Sequence, residues 1–307
     1  MKLIRKVLPG SNIRPRAIAI GAFDGVHKGH QVLISALERI SLKENLISAL
    51  MTFEPIPKEV LSNKKLPRLT NFRERYRQIE SLGISEYYCF NFRDVMKITH
   101  EAFLKDVLLD QLNASYIFVG SDFRFGRDGK GSTDYLKEMA SKHRFNLVEV
   151  DTLLNIDKKI SSTSIRIALG DNNLSLVEHF LGRPYSMSGR IKRGQQLGRT
   201  LGYPTANVSV KRLNCALDGV YLVRAKLGGI YYNGIASIGT RPTLGNFPVE
   251  LEVYLLDFNG DIYGKYIDVD FIEFISPQKK CDGLDQLVAK MNNDEKMARA
   301  LISKYGL

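Results

Sequence analysis

The sequence predicts two domains in series: an α/β domain built on a doubly wound parallel sheet, then a small antiparallel Greek-key β-barrel with a C-terminal helix. Three observations carry that reading. Residues 16–151 alternate strand-like and helix-like segments, as a parallel sheet with crossover helices requires. After Gly170 the pattern changes to short runs punctuated by Gly and Asn, as in an all-β unit. Leu284 to Ala300 then returns to helical spacing. A chain of 307 residues is long enough for two cores. The expected boundary separates 1–181 from 182–307.

Arg16 to Ile20 is a short apolar run stopped by Gly21, the pattern of a buried strand. From Gly29 onward Val32, Leu33, Ala36, Leu37 and Ile40 fall on one helical face. Leu46 to Phe53 is the next strand. Asn71 followed by Glu74 reads as a capping box opening a helix to about Leu82. Ile84 to Phe90 is a strand, Glu101 to Leu112 a helix, Tyr116 to Val119 a strand, Thr133 to Lys142 a helix and Leu147 to Val150 a strand. In the second half, 173–181 is a short helix ended by Gly182-Arg183-Pro184. The strands are Gly219 to Lys226, Tyr231 to Ile238, Leu251 to Phe258 and Tyr266 to Phe274. Asn259-Gly260-Asp261 reads as a hairpin turn between the last two. The terminal helix is expected to pack across one end of the barrel.

The composition, 44% hydrophobic and 25% charged, is that of a globular protein. No apolar run reaches membrane-spanning length. The basic start, Met1 to Leu8, is too short in its apolar part for a signal peptide. Cys89, Cys215 and Cys281 are far apart and odd in number, which argues against a disulfide framework or a Cys-rich metal site. A cytoplasmic protein is expected. The net charge of +11 is spread along the chain. It suits phosphorylated small molecules; without a DNA- or RNA-binding motif, nucleic acid is the weaker reading.

The chemistry concentrates first in Gly21-Ala22-Phe23-Asp24-Gly25-Val26-His27-Lys28-Gly29-His30. The segment joins a strand to a helix at the carboxyl end of the sheet, where ligands of such folds bind. Its glycines let the backbone approach a phosphate, and the helix N-terminus offers N–H groups. His27 and His30, three apart, can donate to triphosphate oxygens and stabilise charge that builds on phosphorus. A metal site of His27, His30 and Asp24 is the weaker alternative, since no other His lies near in sequence.

Gly-x-Phe-Asp-Gly-x-His-x-Gly-His resembles the signature of the cytidylyl/adenylyltransferase superfamily, whose fold is a Rossmann-like sheet. Ile160-Ser161-Ser162-Thr163-Ser164-Ile165-Arg166 is similar to its second signature. The resemblance implies that Gly21, Phe23, Asp24, Gly25 and Gly29 line the ATP phosphates, that Ser162 and Thr163 contact them, and that Arg166 clamps them. A hydroxyl pair and a guanidinium at a helix start suit an anion; simple N-capping is the plainer role for the hydroxyls. Val119 to Gly126 and Thr52 to Pro57 resemble the bacterial bifunctional riboflavin kinase/FMN adenylyltransferase (FAD synthetase) family. That implies flavin binding by Asp122, Phe123 and Phe125, although either phenylalanine serves equally well as core. The family often has Asn where this chain has Ala22, and His where it has Ile56.

The resemblance continues through the second half. Gly198 to Asn207, with its core Pro204-Thr205-Ala206-Asn207, is similar to the riboflavin kinase signature. It implies that Thr205 and Asn207 hold Mg2+ and the ATP phosphates; their hydroxyl and amide oxygens are the hard ligands Mg2+ prefers. Arg190 to Arg199, basic and containing Gly194, reads as a phosphate-covering loop. The five histidines all precede residue 180, so a base in this half must be another group, most naturally a carboxylate. Glu252 matches the family's catalytic Glu, and strand alternation puts Glu250, Glu252 and Tyr254 on one face. Ser276, Gln278 and Cys281 stand where the family tends to carry an Arg-Glu-Phe run. The implied reactions are phosphorylation of riboflavin to FMN and adenylylation of FMN to FAD, with ATP and Mg2+. A chain with one working domain and a non-catalytic flavin or nucleotide binder are the rivals.

Overall fold

The computed structural model describes residues 1–6, 14–62, 66–150, 154–155, 158–194, 201–212, 214–239, 249–279 and 282–307. Two compact units are present, residues 1–66 with 75–161 and residues 67–74 with 162–307.

The first unit holds β1 (Lys2–Ile4), β2 (Arg16–Ile20), α1 (Lys28–Lys43), β3 (Ile47–Glu54), α2 (Pro57–Leu61), β4 (Glu86–Asn91), α4 (Phe92–Val95), α5 (His100–Ala102), β5 (Ala114–Gly120), β6 (Arg124–Phe125), β7 (Gly131–Ser132), α6 (Thr133–His143), β8 (Asn146–Val150), β9 (Leu154–Asn155) and β10 (Lys158–Lys159); α3 (Phe72–Glu80) runs across the division. Six strands form one parallel sheet in the order β1-β4-β3-β2-β5-β8. The order reverses between β2 and β5, so the carboxyl end of β2 lies at the switch point where α/β sheets bind ligands. All five residues of β2 are buried. Ile18 and Ile20 join Met51, Phe103, Leu104 and Leu108 in one core cluster. Alternation turns Ala17 and Ala19 to the other face, and their small side chains let α1 pack against the strand.

One local expectation is met in detail. The Glu74 N–H donates to Asn71 Oδ1 at 3.0 Å, and the Asn71 N–H to Glu74 Oε2 at 2.7 Å, closing the capping box. One is corrected. The helix expected from Glu101 to Leu112 is α5 followed by a π-helical segment, Phe103–Gln111, extended by an i+5 bond from the Leu112 N–H to the Val107 carbonyl. Phe103, Leu104, Val107 and Leu108 fall on one face at 3.6 or at 4.4 residues per turn, so periodicity does not separate the two.

The second unit holds α7 (Ser162–Gly170), α8 (Leu174–Leu181), β11 (Tyr185–Lys192), β12 (Thr205–Ser209), β13 (Gly219–Leu227), β14 (Ile230–Gly239), β15 (Glu250–Leu255), β16 (Tyr266–Ser276) and α9 (Leu284–Tyr305). The six strands close a barrel in the order β11-β12-β15-β14-β13-β16, every pair antiparallel. β12 lies beside β15 rather than β13, which is the Greek-key crossover. Gly228 and Gly229, with φ of 59° and 92°, make the two-residue turn joining β13 to β14; only such positive values match the twist of a tight hairpin. α9 packs on β13, β14 and β16, with Ala298 against Val220, Leu222 and Ile275.

The expected hairpin at Asn259-Gly260-Asp261 is not formed. β15 pairs with β12 and β14, and β16 with β11 and β13, so both edges of each strand are occupied by others. The turn residues are a connection between strands that do not pair. The basic loop expected from Arg190 is also corrected, since Arg190 to Lys192 belong to β11. Its later part, 195–200, lies outside the described residues. Glu74 gains a second role within this unit. It accepts from Arg212 Nη2 and from the Ser188 N–H at 2.7 Å, while Arg212 also donates to the Leu69 carbonyl at 3.0 Å.

Candidate active sites

In the first unit the turn after β2 is shaped by unusual backbone. Phe23, Gly25 and Val26 have φ of 50°, 88° and 43°. Gly25 adopts this readily, but a β-branched valine there is strained, and such strain collects at functional turns. Phe23, Asp24 and His27 are buried. Phe23 is therefore a core side chain, and only its backbone can serve a phosphate. Its ring lies under Gly21, where an added Cβ would come within 3.1 Å of it. Gly29 is equally confined by the His27 ring, at 3.2 Å.

The two histidines are stacked, with ring centroids 3.6 Å apart. His27 caps α1, its Nδ1 accepting from the His30 N–H at 3.4 Å. An accepting Nδ1 leaves the proton on Nε2. His30 packs against Phe23 and is half-buried, with its Nδ1 buried and without a hydrogen-bond partner. Burial first, then His27 and Arg75, hold its pKa well below the usual histidine range, so it is a neutral imidazole near pH 7. The structure thus brings His27, His30 and the turn glycines together at the helix N-terminus. Among the described residues no group of three His, Cys, Asp or Glu is placed to hold a metal.

Sequence reasoning missed Arg75. Its guanidinium is wholly buried. It donates to Glu54 Oε2 at 2.7 Å, to the Tyr87 hydroxyl at 3.1 Å and to the Ala22 carbonyl at 3.4 Å. One of three arginines on a charged helix, outside every signature, gives no sequence signal of this.

Asp122 is exposed and Phe123 half-buried, whereas Phe125 belongs to the core cluster. The two rings stack nearly parallel, centroids 5.5 Å apart and 15° between planes, so Phe125 backs Phe123. Gly126 and Gly131 press on His100, and Arg127 grips the Lys97 carbonyl at 2.7 Å and 3.1 Å, which ties this flap to the segment before α5.

The remaining expected residues lie in the second unit. Ser162 is the first residue of α7, so the N-cap position belongs to Ser161; Thr163 is exposed. Arg166 donates through Nε to the Pro67 carbonyl at 2.7 Å. On the barrel, Asn207 of β12 lies directly opposite Glu252 of β15, and Thr205 opposite Tyr254. All four are half-buried on the outer face, with Ala206, Val208, Leu251 and Val253 turned into the barrel. Lys192 of β11 faces Asn207 from its other side, and Ser237 of β14 faces Glu252. Gly194 lies against the Asn207 amide, where a Cβ would fall 2.3 Å from Nδ2. Thus a hydroxyl, an amide and a carboxylate meet on adjacent strands beside a glycine that admits nothing larger.

Two family models match the chain, FAD synthetase over residues 11–164 and riboflavin kinase over residues 181–302. The bifunctional riboflavin kinase/FMN adenylyltransferase of Escherichia coli K12 is 39% identical over 304 residues, covering 97% of each chain. The chain belongs to this bifunctional family. The protein of the same name from Haemophilus influenzae is 34% identical over 308 residues, covering 99% of this chain and 100% of its own. The crystal structure of a macrolide-efflux protein from Streptococcus pneumoniae is similar throughout, with a TM-score of 0.82, 31% identity, and 97% and 99% coverage. In this chain no described helix is long and apolar enough to cross a membrane.

The positions that depart from the family pattern have defined surroundings here. The Ala22 carbonyl takes bonds from Thr52 Oγ1 at 3.3 Å and from Arg75. Ile56 is buried before α2, its N–H on Glu59. Ser276 Oγ donates to Asp294 Oδ1 at 2.9 Å and accepts from Lys290 Nζ at 3.0 Å, tying β16 to α9. Gln278 donates to Ser237 Oγ at 3.0 Å, the residue that faces Glu252 across the strands. Cys281 lies outside the described residues.

Proposed function

We infer that this chain makes FAD from riboflavin in two ATP-dependent steps, one in each family-matched half. The observation that carries this reading is that each half has its own phosphate-handling geometry. One is the strained glycine turn with stacked His27 and His30; the other is the Thr205, Asn207 and Glu252 face with Gly194 beside it.

In the kinase half, the riboflavin 5′-hydroxyl attacks the γ-phosphorus of ATP, giving FMN and ADP. Glu252 orients the hydroxyl and accepts its proton. Thr205 and Asn207 would hold Mg2+ brought in with the nucleotide; their hard oxygens fit it, and it neutralises charge on the phosphates. Gly194 leaves the Asn207 amide room to reach them.

In the adenylyltransferase half, the FMN phosphate attacks the α-phosphorus of ATP, giving FAD and pyrophosphate. A phosphate monoester is already nucleophilic at neutral pH, so positioning and charge stabilisation do most of the work. The Phe23 amide in the turn, the Nε2 proton of His27 and the neutral His30 imidazole supply donors. By family resemblance Ser162, Thr163 and Arg166 are phosphate contacts. Asp122 and Phe123 meet the flavin, with Phe125 stiffening Phe123 from behind. The riboflavin kinase match beginning at residue 181 supports a functional boundary near 181/182, while the compact units divide at 161/162. A cytoplasmic location agrees with the three scattered cysteines.

The test is to incubate the protein with riboflavin, ATP and Mg2+ and resolve the flavins. FMN without FAD sinks the adenylyltransferase assignment. FAD from supplied FMN, but no product from riboflavin, sinks the kinase assignment.

A further inference from the structure

Arg75 is the most deeply buried charge in the first unit, and neither signature contains it. Burial alone would lower its pKa, but Tyr87, Glu54 and Asp24 outweigh that, and the guanidinium stays charged. Burying an arginine in this way is costly unless its donors are used. They are used on β3, on β4 and on the carbonyl of Ala22, in the turn that opens the nucleotide site.

The Ala22 carbonyl is held by two donors, Arg75 Nη1 at 3.4 Å and Thr52 Oγ1 at 3.3 Å. In a trans peptide the C=O and the next N–H point in opposite directions. Holding the Ala22 oxygen inward therefore turns the Phe23 N–H outward, away from the guanidinium. This matters because the Phe23 side chain is buried and its amide is what that residue can offer a phosphate.

The same charge bears on His30. The groups that act on this imidazole are His27 from the same turn and Arg75 from α3; Arg75 in turn faces Tyr87 of β4, Glu54 of β3 and Asp24 of the turn. Two positive or proton-binding neighbours favour a neutral His30, which can donate from one nitrogen only.

We propose that Arg75 is a positioning residue of adenylyl transfer: it fixes the peptide between Ala22 and Phe23 with its amide toward the phosphates and sets its buried charge behind His30. The proposal rests on the adenylyltransferase assignment, which wild-type FAD formation from FMN tests separately.

The experiment compares R75M, R75K and T52V in the full chain. It measures FAD formation from FMN, FMN formation from riboflavin, and the histidine Cε1–H NMR titration, with the His30 signal assigned through H30Q. R75M, which loses both fork and charge, is expected to lower the adenylyltransferase kcat about tenfold or more, with KM for FMN unchanged. Its His30 signal should titrate at a higher pH than in wild type. R75K keeps the charge but not the three-way fork; it should lower kcat and leave the titration in place. T52V removes the other donor to Ala22 and should lower kcat by a smaller factor, also without moving the titration. Kinase activity should be unchanged in all three. A wild-type kcat in R75K overturns the positioning role whether or not R75M folds. A wild-type titration in folded R75M overturns the link to His30.

Discussion

Gly194 shows how one missing methyl group can define a site. Its backbone does not need a positive φ; what it needs is the space now filled by the Asn207 amide. Gly194→Ala should push Asn207 out of register with Glu252. Since displacement of about 1 Å costs up to about a hundredfold, riboflavin phosphorylation should fall by about one to two orders of magnitude. FAD formation from FMN should stay at the wild-type rate, which an assay of the two reactions in parallel checks. His30 makes a residue-scale prediction of another kind. Its folded pKa lies below the unfolded value of about 6.5, so the unfolded chain binds the extra proton. The stability from a neutral His30 is complete above about pH 6.5 and is lost as pH falls from there through the lower folded value. Urea unfolding at pH 7.5 and pH 5.0 should show a larger loss for wild type than for H30Q.

Elements were legible where a local rule decides them. Arg16–Ile20 was readable because four apolar residues, Ala17 to Ile20, end at a glycine, and α3 because Asn71 and Glu74 satisfy each other's N–H groups. The π-helical segment was not, because the same apolar positions suit either winding and only packing chooses. The Asn-Gly pair at 259–260 was misleading for a related reason. It permits a tight turn, but a hairpin also needs two free strand edges, and β15 and β16 have none to spare for each other. Glu74 illustrates an element-scale contact invisible in sequence. Its capping role is local; its ion pair with buried Arg212 is 138 residues away in the chain. Glu74→Gln leaves that guanidinium uncompensated. It should destabilise the protein by about 3–5 kcal/mol, the usual result of breaking a buried pair, as read by chemical denaturation.

At the scale of the whole molecule, two chemistries share one chain but use different residues. E252A should make FAD from FMN and no FMN from riboflavin; H30A should do the reverse. Mixing the two variants should restore FAD formation from riboflavin, since FMN released by one can be used by the other. Failure of the mixture, with each single activity intact, would show that the two steps need one chain.

The sequence alone determined the two fold classes and their order, and it named the strings that mark both candidate sites, because phosphate chemistry demands short local strings: a glycine turn with two histidines, and Pro204 to Asn207. The tertiary structure decided what lies beneath them. The Thr52 and Arg75 bonds to Ala22, the pairing of Asn207 with Glu252, and the Asn207 amide against Gly194 join residues distant in sequence. Such contacts depend on strand order and packing, and no spacing along the chain encodes them.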